Sequence, residues 1–177
     1  MSNATLLLSA TGIQRTLARM AQEIAERNDN GTEVVLVGVQ RGGIHLADRL
    51  SRMLADIWGH PVPNGRLDVN MHRDDLNRQM PPEVHATVIP FDVTGRAVVL
   101  VDDVLFSGRT TRAALDALND FGRPKRVQLA VLVDRGLREL PITPDFVGKA
   151  ITTRPDDHVE VRLKEDGGED AVYLRHA

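Results

Sequence analysis

The sequence predicts an α/β domain: a mostly parallel sheet flanked by helices, with a small β-rich lobe supplied by the C-terminal third. Three observations carry this. Continuous apolar runs with no polar face recur at Glu33–Val39, Val98–Val101 and Arg126–Val133, as expected for strands buried on both sides of a parallel sheet. Amphipathic helical patterns follow these runs, which is the alternation of βαβ units. The chain of 177 residues is long enough for one domain with a full core, with the main body over about 11–135 and the lobe over about 136–177.

In chain order, residues 11–28 read as an amphipathic helix. Ile13, Leu17, Met20 and Ile24 share one face, and Arg15, Arg19, Gln22, Glu26 and Arg27 the other. Thr11 is the expected N-cap with Gln14 as its capping-box partner. The strand Glu33–Val39 runs into Gln40-Arg41-Gly42-Gly43, and a second helix follows with Ile44, Leu46, Ala47, Leu50, Met53, Leu54 and Ile57 as apolar positions. Arg66–His72 alternates apolar and polar residues and is expected as an edge strand with one wet face. The polar stretch Arg73–Pro82 has no period and is expected as a lid or binding loop, with Glu83–Phe91 as a return strand.

The run Val98–Val101 leads into Asp102 and Asp103, then into the small-residue turn Ser107-Gly108-Arg109-Thr110-Thr111. The next helix carries Ala113, Ala114, Leu115, Ala117, Leu118 and Phe121 as a stripe, and Gly122 and Pro124 end it. Arg126–Val133 carries Asp134-Arg135-Gly136 at its carboxyl end, and short strands are expected at Asp145–Ile151, Val159–Leu163 and Ala171–Leu174.

Composition narrows the function. A net charge of −3 gives no global basic field for nucleic acid, although a local basic face remains open. Aromatics at 3 % weaken the case for a single-strand stacking surface of the kind that needs several aromatic platforms. The absence of cysteine excludes disulfides and thiolate zinc sites, and the six histidines have no metal-ligand spacing. No apolar run has membrane-spanning length and the first residues lack a signal pattern, so a cytoplasmic protein is expected.

The chemistry concentrates at residues 98–110. Ligands of open α/β sheets sit outside the carboxyl ends of the strands, and a helix N-terminus after a glycine turn offers free N–H groups to an anion. Two carboxylates for hydroxyl groups therefore stand a few residues from a phosphate cradle, which suits a sugar phosphate. The Walker loop with its lysine and the dinucleotide glycine fingerprint are both missing.

Four apolar residues, two acids, three variable positions, then Ser107-Gly108-Arg109-Thr110 resemble the signature of the type I phosphoribosyltransferases. The resemblance extends through QRTLARMAQEIAERN, RDDL, VDDVLFSGRTTRAALDAL, GRPKRVQLAVLVDRGLRELPI and DFVGK, in order over nearly the whole chain. These pieces resemble the branch that combines uracil phosphoribosyltransferase activity with attenuation control of pyrimidine operons.

The resemblance implies a type I phosphoribosyltransferase fold with the C-terminal lobe as hood and a mobile loop at about 72–84. It implies 5-phosphoribosyl-1-pyrophosphate (PRPP), uracil, UMP or UTP as ligands, Mg²⁺ as cofactor, pyr leader mRNA as partner, and a homodimer or higher homo-oligomer. Asp102 and Asp103 would hold the ribose hydroxyls, Ser107, Gly108, Arg109 and Thr110 would wrap the 5′-phosphate, and Val104, Leu105 and Phe106 are expected among the substrate-binding residues. Arg41, Gly42 and Gly43 would bind pyrophosphate through backbone N–H groups, often around a non-proline cis peptide. Here the arginine is shifted by one from the more usual Thr-Arg-Gly. Arg73 and Arg78 would act from the mobile loop on the departing pyrophosphate. Asp134 would approach the metal with Asp102 and Asp103, indirectly through substrate or water, and Arg135 with the backbone near Val159 would read the base. Arg15, Arg19, Arg27, Arg138 and Lys149 would contribute an RNA face.

Phe106 stands where purine-specific relatives place an acid, and a phenyl ring cannot accept a proton, which argues for a pyrimidine acceptor or for weak catalysis. Ala18, Gln22, Leu137 and Thr143 replace polar residues common in the regulators. Alternatives left open are a regulator that senses nucleotide with little catalysis and a transferase for another base.

Overall fold

A computed structural model describes residues 4–72 and 85–177. The chain opens with β1 (Ala4–Leu8) and α1 (Ala10–Arg27), then β2 (Val34–Val39), α2 (Gly42–Trp58) and β3 (Asn64–Leu67). It continues with β4 (Ala97–Leu105), α3 (Arg109–Leu118), β5 (Arg126–Asp134), β6 (Phe146–Ala150), β7 (His158–Arg162) and β8 (Ala171–Arg175).

Five strands form an all-parallel sheet in the order β3-β2-β4-β5-β6. The central strand β4 explains why its sequence has no polar face. Val99 and Val101 enter one core with Ile13, Leu17, Leu46 and Leu50 of α1 and α2, whereas Val98 and Leu100 enter a second core with Ala113, Ala114 and Leu118 of α3. Both faces of the strand are dry, so both periods must be apolar. A second sheet, antiparallel in the order β1-β8-β7, forms the hood.

Several expectations are corrected. The cap of α1 is Ser9, whose Oγ accepts from the Gly12 N–H at 3.1 Å, two residues before Thr11. With glycine three positions after the cap there is no capping box. The strand expected over Arg66–His72 stops at Leu67, because the chain turns into a short 3₁₀ segment at Asn70–His72; Met71 consequently lies exposed. Its place at the sheet edge is as expected. Glu83 and Val84 fall outside the described residues, and the described part of that return segment makes one antiparallel bridge, Arg66 with Val88. The acids Asp102 and Asp103 lie within β4 rather than after it. The hood is not drawn from the C-terminal third alone. β6 pairs with β5 in the main sheet, while β1 from the opposite terminus completes the small one.

Candidate functional site

Parallel pairing aligns the carboxyl ends of β2, β4 and β5 on one edge of the sheet: Gly38 pairs with Val101 and Leu105 with Asp134. Three loops therefore meet there, Gln40–Gly43, Phe106–Thr110 and Arg135–Ile142, at the position where open α/β sheets bind ligands.

The glycine loop contains a cis peptide between Gln40 and Arg41. Its glycines are required by close approach. A Cβ at Gly42 would overlap the carboxylate of Asp103, and one at Gly43 would overlap the carbonyl of Val101. Backbone of the first loop thus lies directly against the acid pair. Asp102 is buried and its Oδ1 accepts from the Asp103 N–H at 2.9 Å, while Asp103 Oδ1 accepts from the Val104 N–H at 2.8 Å. These bonds fix both carboxylates relative to the strand end.

The second loop encloses a cavity of about 270 Å³ lined by Asp102, Phe106, Ser107, Gly108, Thr110 and Glu139 among others. Gly108 caps α3 with φ of 91°, a conformation open to glycine at little cost, and no side chain occupies the cap. The Arg109 N–H donates to Ser107 Oγ at 3.3 Å, and a helix N-terminus of this kind can direct first-turn N–H groups to an anion. The Arg109 guanidinium does not join them: its Nε donates to Glu139 Oε2 at 2.7 Å. A second cleft, of about 380 Å³, lies beyond Gln40 and Arg41 and is lined by His45, Asn64, Arg66 and His85.

The third loop carries two arginines with distinct work. Arg135 is buried, donates from Nε to Thr153 Oγ1 at 3.0 Å and to the Arg154 carbonyl at 2.8 Å, and lies 4.3 Å from the Phe106 ring centre. Burial pushes its guanidinium below the ordinary value, against the opposing charge of Asp157. Arg138 reaches the Ile142 carbonyl, the Phe106 carbonyl and Asp134 Oδ2 at 2.9, 2.8 and 2.8 Å. Asp134 Oδ1 accepts from the Gly136 N–H at 3.0 Å. Burial raises the Asp134 carboxyl, but the Arg138 hydrogen bond and charge and the Gly136 N–H outweigh it and hold it below the usual carboxylate range. Both oxygens of Asp134 are thus engaged in ordering this loop.

Val159 lies in β7 with its side chain in the core, so only its backbone is positioned for recognition. β7 is an edge strand of the hood, with one row of backbone groups outside the ladder.

The five basic residues expected to form an RNA face differ in what they meet. Arg138 is consumed by three internal acceptors. Arg19 bonds Glu23 at 2.8 Å and the carbonyls of Val147 and Gly148 on the edge strand β6, and Arg27 pairs with Asp145 and covers the Phe146 ring. Arg15 is exposed and Lys149 half-buried. Arg73 and Arg78 fall outside the described residues, as does nearly all of the loop expected at 72–84. Among the described residues no three His, Cys, Asp or Glu side chains form a metal cage, and no helix is long and apolar enough to cross a membrane.

Sequence reasoning missed two residues. The Asp68 carboxylate accepts from the N–H groups of Asn70 and His85 and so joins the described ends flanking 73–84. Thr153 both accepts from Arg135 Nε and donates to the Arg135 carbonyl. The bond of Asp68 to His85 and that of Thr153 to Arg135 span 17 and 18 positions, and so leave no local sequence signal.

Residues 4–166 match the phosphoribosyl transferase domain family. The chain is 56% identical over 170 residues to the "Bifunctional protein PyrR" of Roseiflexus sp. (strain RS-1), covering 95% of this chain and 93% of that one. It is 54% identical over 177 residues to the protein of the same name from Chloroflexus aurantiacus, covering 99% and 97%. The crystal structure of the hypoxanthine phosphoribosyltransferase of Trypanosoma cruzi superposes with a TM-score of 0.73 at 20% identity, over 98% of this chain and 97% of that one, which is a likeness of fold.

Proposed function

The chain belongs to the phosphoribosyl transferase domain family, and on that premise we propose that it converts uracil and PRPP to UMP and pyrophosphate and regulates pyrimidine operons by mRNA attenuation. The observation that carries the enzymatic reading is the convergence of an acid pair, a phosphate cradle and a glycine loop on one sheet edge.

In this reading the 5′-phosphate sits at the N-terminus of α3, held by N–H groups of the 107–111 turn and by hydroxyls of Ser107 and Thr110. Asp102 and Asp103 accept from the ribose hydroxyls and orient the sugar. Backbone N–H groups of Arg41–Gly43 receive the pyrophosphate, a contact that survives the shifted arginine because it does not depend on a side chain. Uracil lies between Phe106 and the hood, where the β7 backbone near Val159 and the Arg135 region match its acceptors and donor. The anomeric C–O bond breaks as the C–N bond forms: the proton lost from the uracil ring nitrogen passes to solvent, and pyrophosphate leaves with the C–O electron pair and its charge. Arg73 and Arg78 fit the neutralisation of that charge.

Two carboxylates beside a polyphosphate site suit Mg²⁺, which keeps much of its water and takes further ligands from phosphate. Asp102 and Asp103 would hold it through the ribose hydroxyls or water, and when bound it would neutralise charge on the pyrophosphate oxygens. The engagement of Asp134 with Arg138 and Gly136 favours a supporting part for that residue.

A panel of uracil, orotate and hypoxanthine with PRPP and Mg²⁺ tests the enzymatic reading. UMP formation with uracil, abolished in Asp102→Asn with Asp103→Asn, is expected. Preference for hypoxanthine, or unchanged activity in the double variant, would overturn it. The regulatory reading places UMP or UTP in the same pocket to favour binding of pyr leader mRNA by a homodimer or higher oligomer, with Arg15 and Lys149 among the contacts. Filter binding with and without UMP is its test: UMP-enhanced retention is expected, and UMP-independent or absent retention would sink it.

A further inference from the structure

Each carbonyl of the phosphate loop from Leu105 to Ser107 is taken up by one neighbouring segment. The Arg135 N–H donates to the Leu105 carbonyl at 3.1 Å, the Arg138 guanidinium to the Phe106 carbonyl at 2.8 Å, and the N–H groups of Glu139 and Leu140 to the Ser107 carbonyl at 2.9 and 3.1 Å. In a trans peptide the carbonyl and the following N–H point in opposite directions. Holding these three carbonyls toward residues 135–140 therefore turns the N–H groups of Phe106, Ser107 and Gly108 away from that segment. The packing is tight: a Cβ at Gly108 would lie 3.0 Å from Ile142 Cγ1 and 3.5 Å from Leu140 Cβ.

Within this clamp one side chain joins three backbones. Arg138 holds the Phe106 carbonyl, its own turn through the Ile142 carbonyl, and the end of β5 through Asp134. We infer that Arg138 is a positioning residue: it presets the anion-binding N–H groups of the phosphate loop from behind, without touching the ligand. The inference rests on the reading of that loop as the 5′-phosphate site. It also accounts for an arginine that is largely covered, with 22% of its side chain exposed, although it lies in a surface turn.

The test is calorimetric titration of UMP and of uridine, which differ only in the 5′-phosphate, into the full-length protein and its Arg138→Ala and Arg138→Lys variants. Wild type is expected to prefer UMP. Arg138→Ala is expected to weaken UMP about ten-fold while uridine changes less than about two-fold, and Arg138→Lys, which retains a donor for one acceptor, to recover part of the loss. Equal losses for both ligands, or none, would overturn the positioning role alone. A wild type that binds uridine as tightly as UMP would instead overturn the phosphate-site reading beneath it. If Arg138→Ala does not fold, the same comparison is read from Arg138→Lys, whose UMP loss must still exceed its uridine loss.

Discussion

The Arg135 guanidinium lies 4.3 Å from the centre of the Phe106 ring, so a buried cation in the loop after β5 supports the one aromatic residue of the phosphate loop. Such a contact contributes about 0.5–2 kcal/mol, depending on how far it is desolvated. Phe106→Leu keeps apolar bulk and removes the π face. It is expected to lower stability by about 1 kcal/mol and to raise KM for uracil. Arg135→Lys also loses the planar fork to Thr153 and Arg154, and its expected cost is about 2–3 kcal/mol. Urea denaturation and steady-state kinetics read both effects, and unchanged midpoints in both variants would mean that the stacked geometry contributes nothing.

Gly42 and Gly43 are adjacent but fail differently when a methyl is added. At Gly42 the methyl meets the Asp103 carboxylate, a side chain that moves aside and takes the acid out of position. Gly42→Ala is therefore expected to lose about 100-fold in kcat/KM for PRPP, the usual scale for a displacement of about 1 Å in a reacting site, with little change in melting temperature. At Gly43 the methyl meets the Val101 carbonyl and the backbone of Asp102 in the central strand, which cannot yield cheaply. Gly43→Ala is expected to lose about 2–3 kcal/mol of stability. Thermal melts beside kinetics separate the two, and equal destabilisation would refute the distinction.

Leu137 has φ of 61°, follows Gly136 at 71°, and is exposed. A branched side chain in the left-handed region costs about 1–2 kcal/mol, whereas asparagine tolerates it. Leu137→Asn is expected to raise stability by about 0.5–1 kcal/mol and to leave UMP affinity unchanged, as measured by denaturation and titration. A lower midpoint would show that the leucine makes a compensating contact.

What the sequence disclosed follows from how local each cause is. Val98–Val101 announced a two-faced strand because burial on both sides leaves a mark at every residue, and Ser107–Thr110 announced a helix start through local backbone chemistry. β1 left no such mark: its five residues become a strand through pairing with β8, whose register joins Ala4 to Arg175. Arg19 reads as a surface charge because Val147 and Gly148 lie 128 and 129 positions away, and Arg138 because the Phe106 carbonyl of the phosphate loop lies 32 positions away. The N-cap was misplaced by two because Ser9 and Thr11 both satisfy the local rule, and the entry of β1 into the hood decides between them.

Arg49 of α2 ties the main body to the hood through four hydrogen bonds. Nε and one Nη reach Glu165 at 2.8 and 2.6 Å, and both Nη reach Asp170 at 2.7 and 2.9 Å. The arginine hydrogen bonds hold the Asp170 and Glu165 carboxyls below their usual range, outweighing the burial that raises them. Because these folded-state values are depressed, the stabilisation is complete above the ordinary carboxylate pKa of about 4 and fades as pH falls through the lowered values. Arg49→Met fills much of the same space but strands two carboxylates, 29% and 13% exposed at the side chain, so the expected loss at pH 7 is about 2–4 kcal/mol. In the variant the carboxyls return toward ordinary values, so the difference from wild type is expected to shrink below about pH 4 and to vanish once both are protonated. Urea denaturation at pH 7, 5 and 3 reads this directly. A deficit that stays constant across that range would assign the loss to packing and remove the ion pairs as the link between hood and sheet.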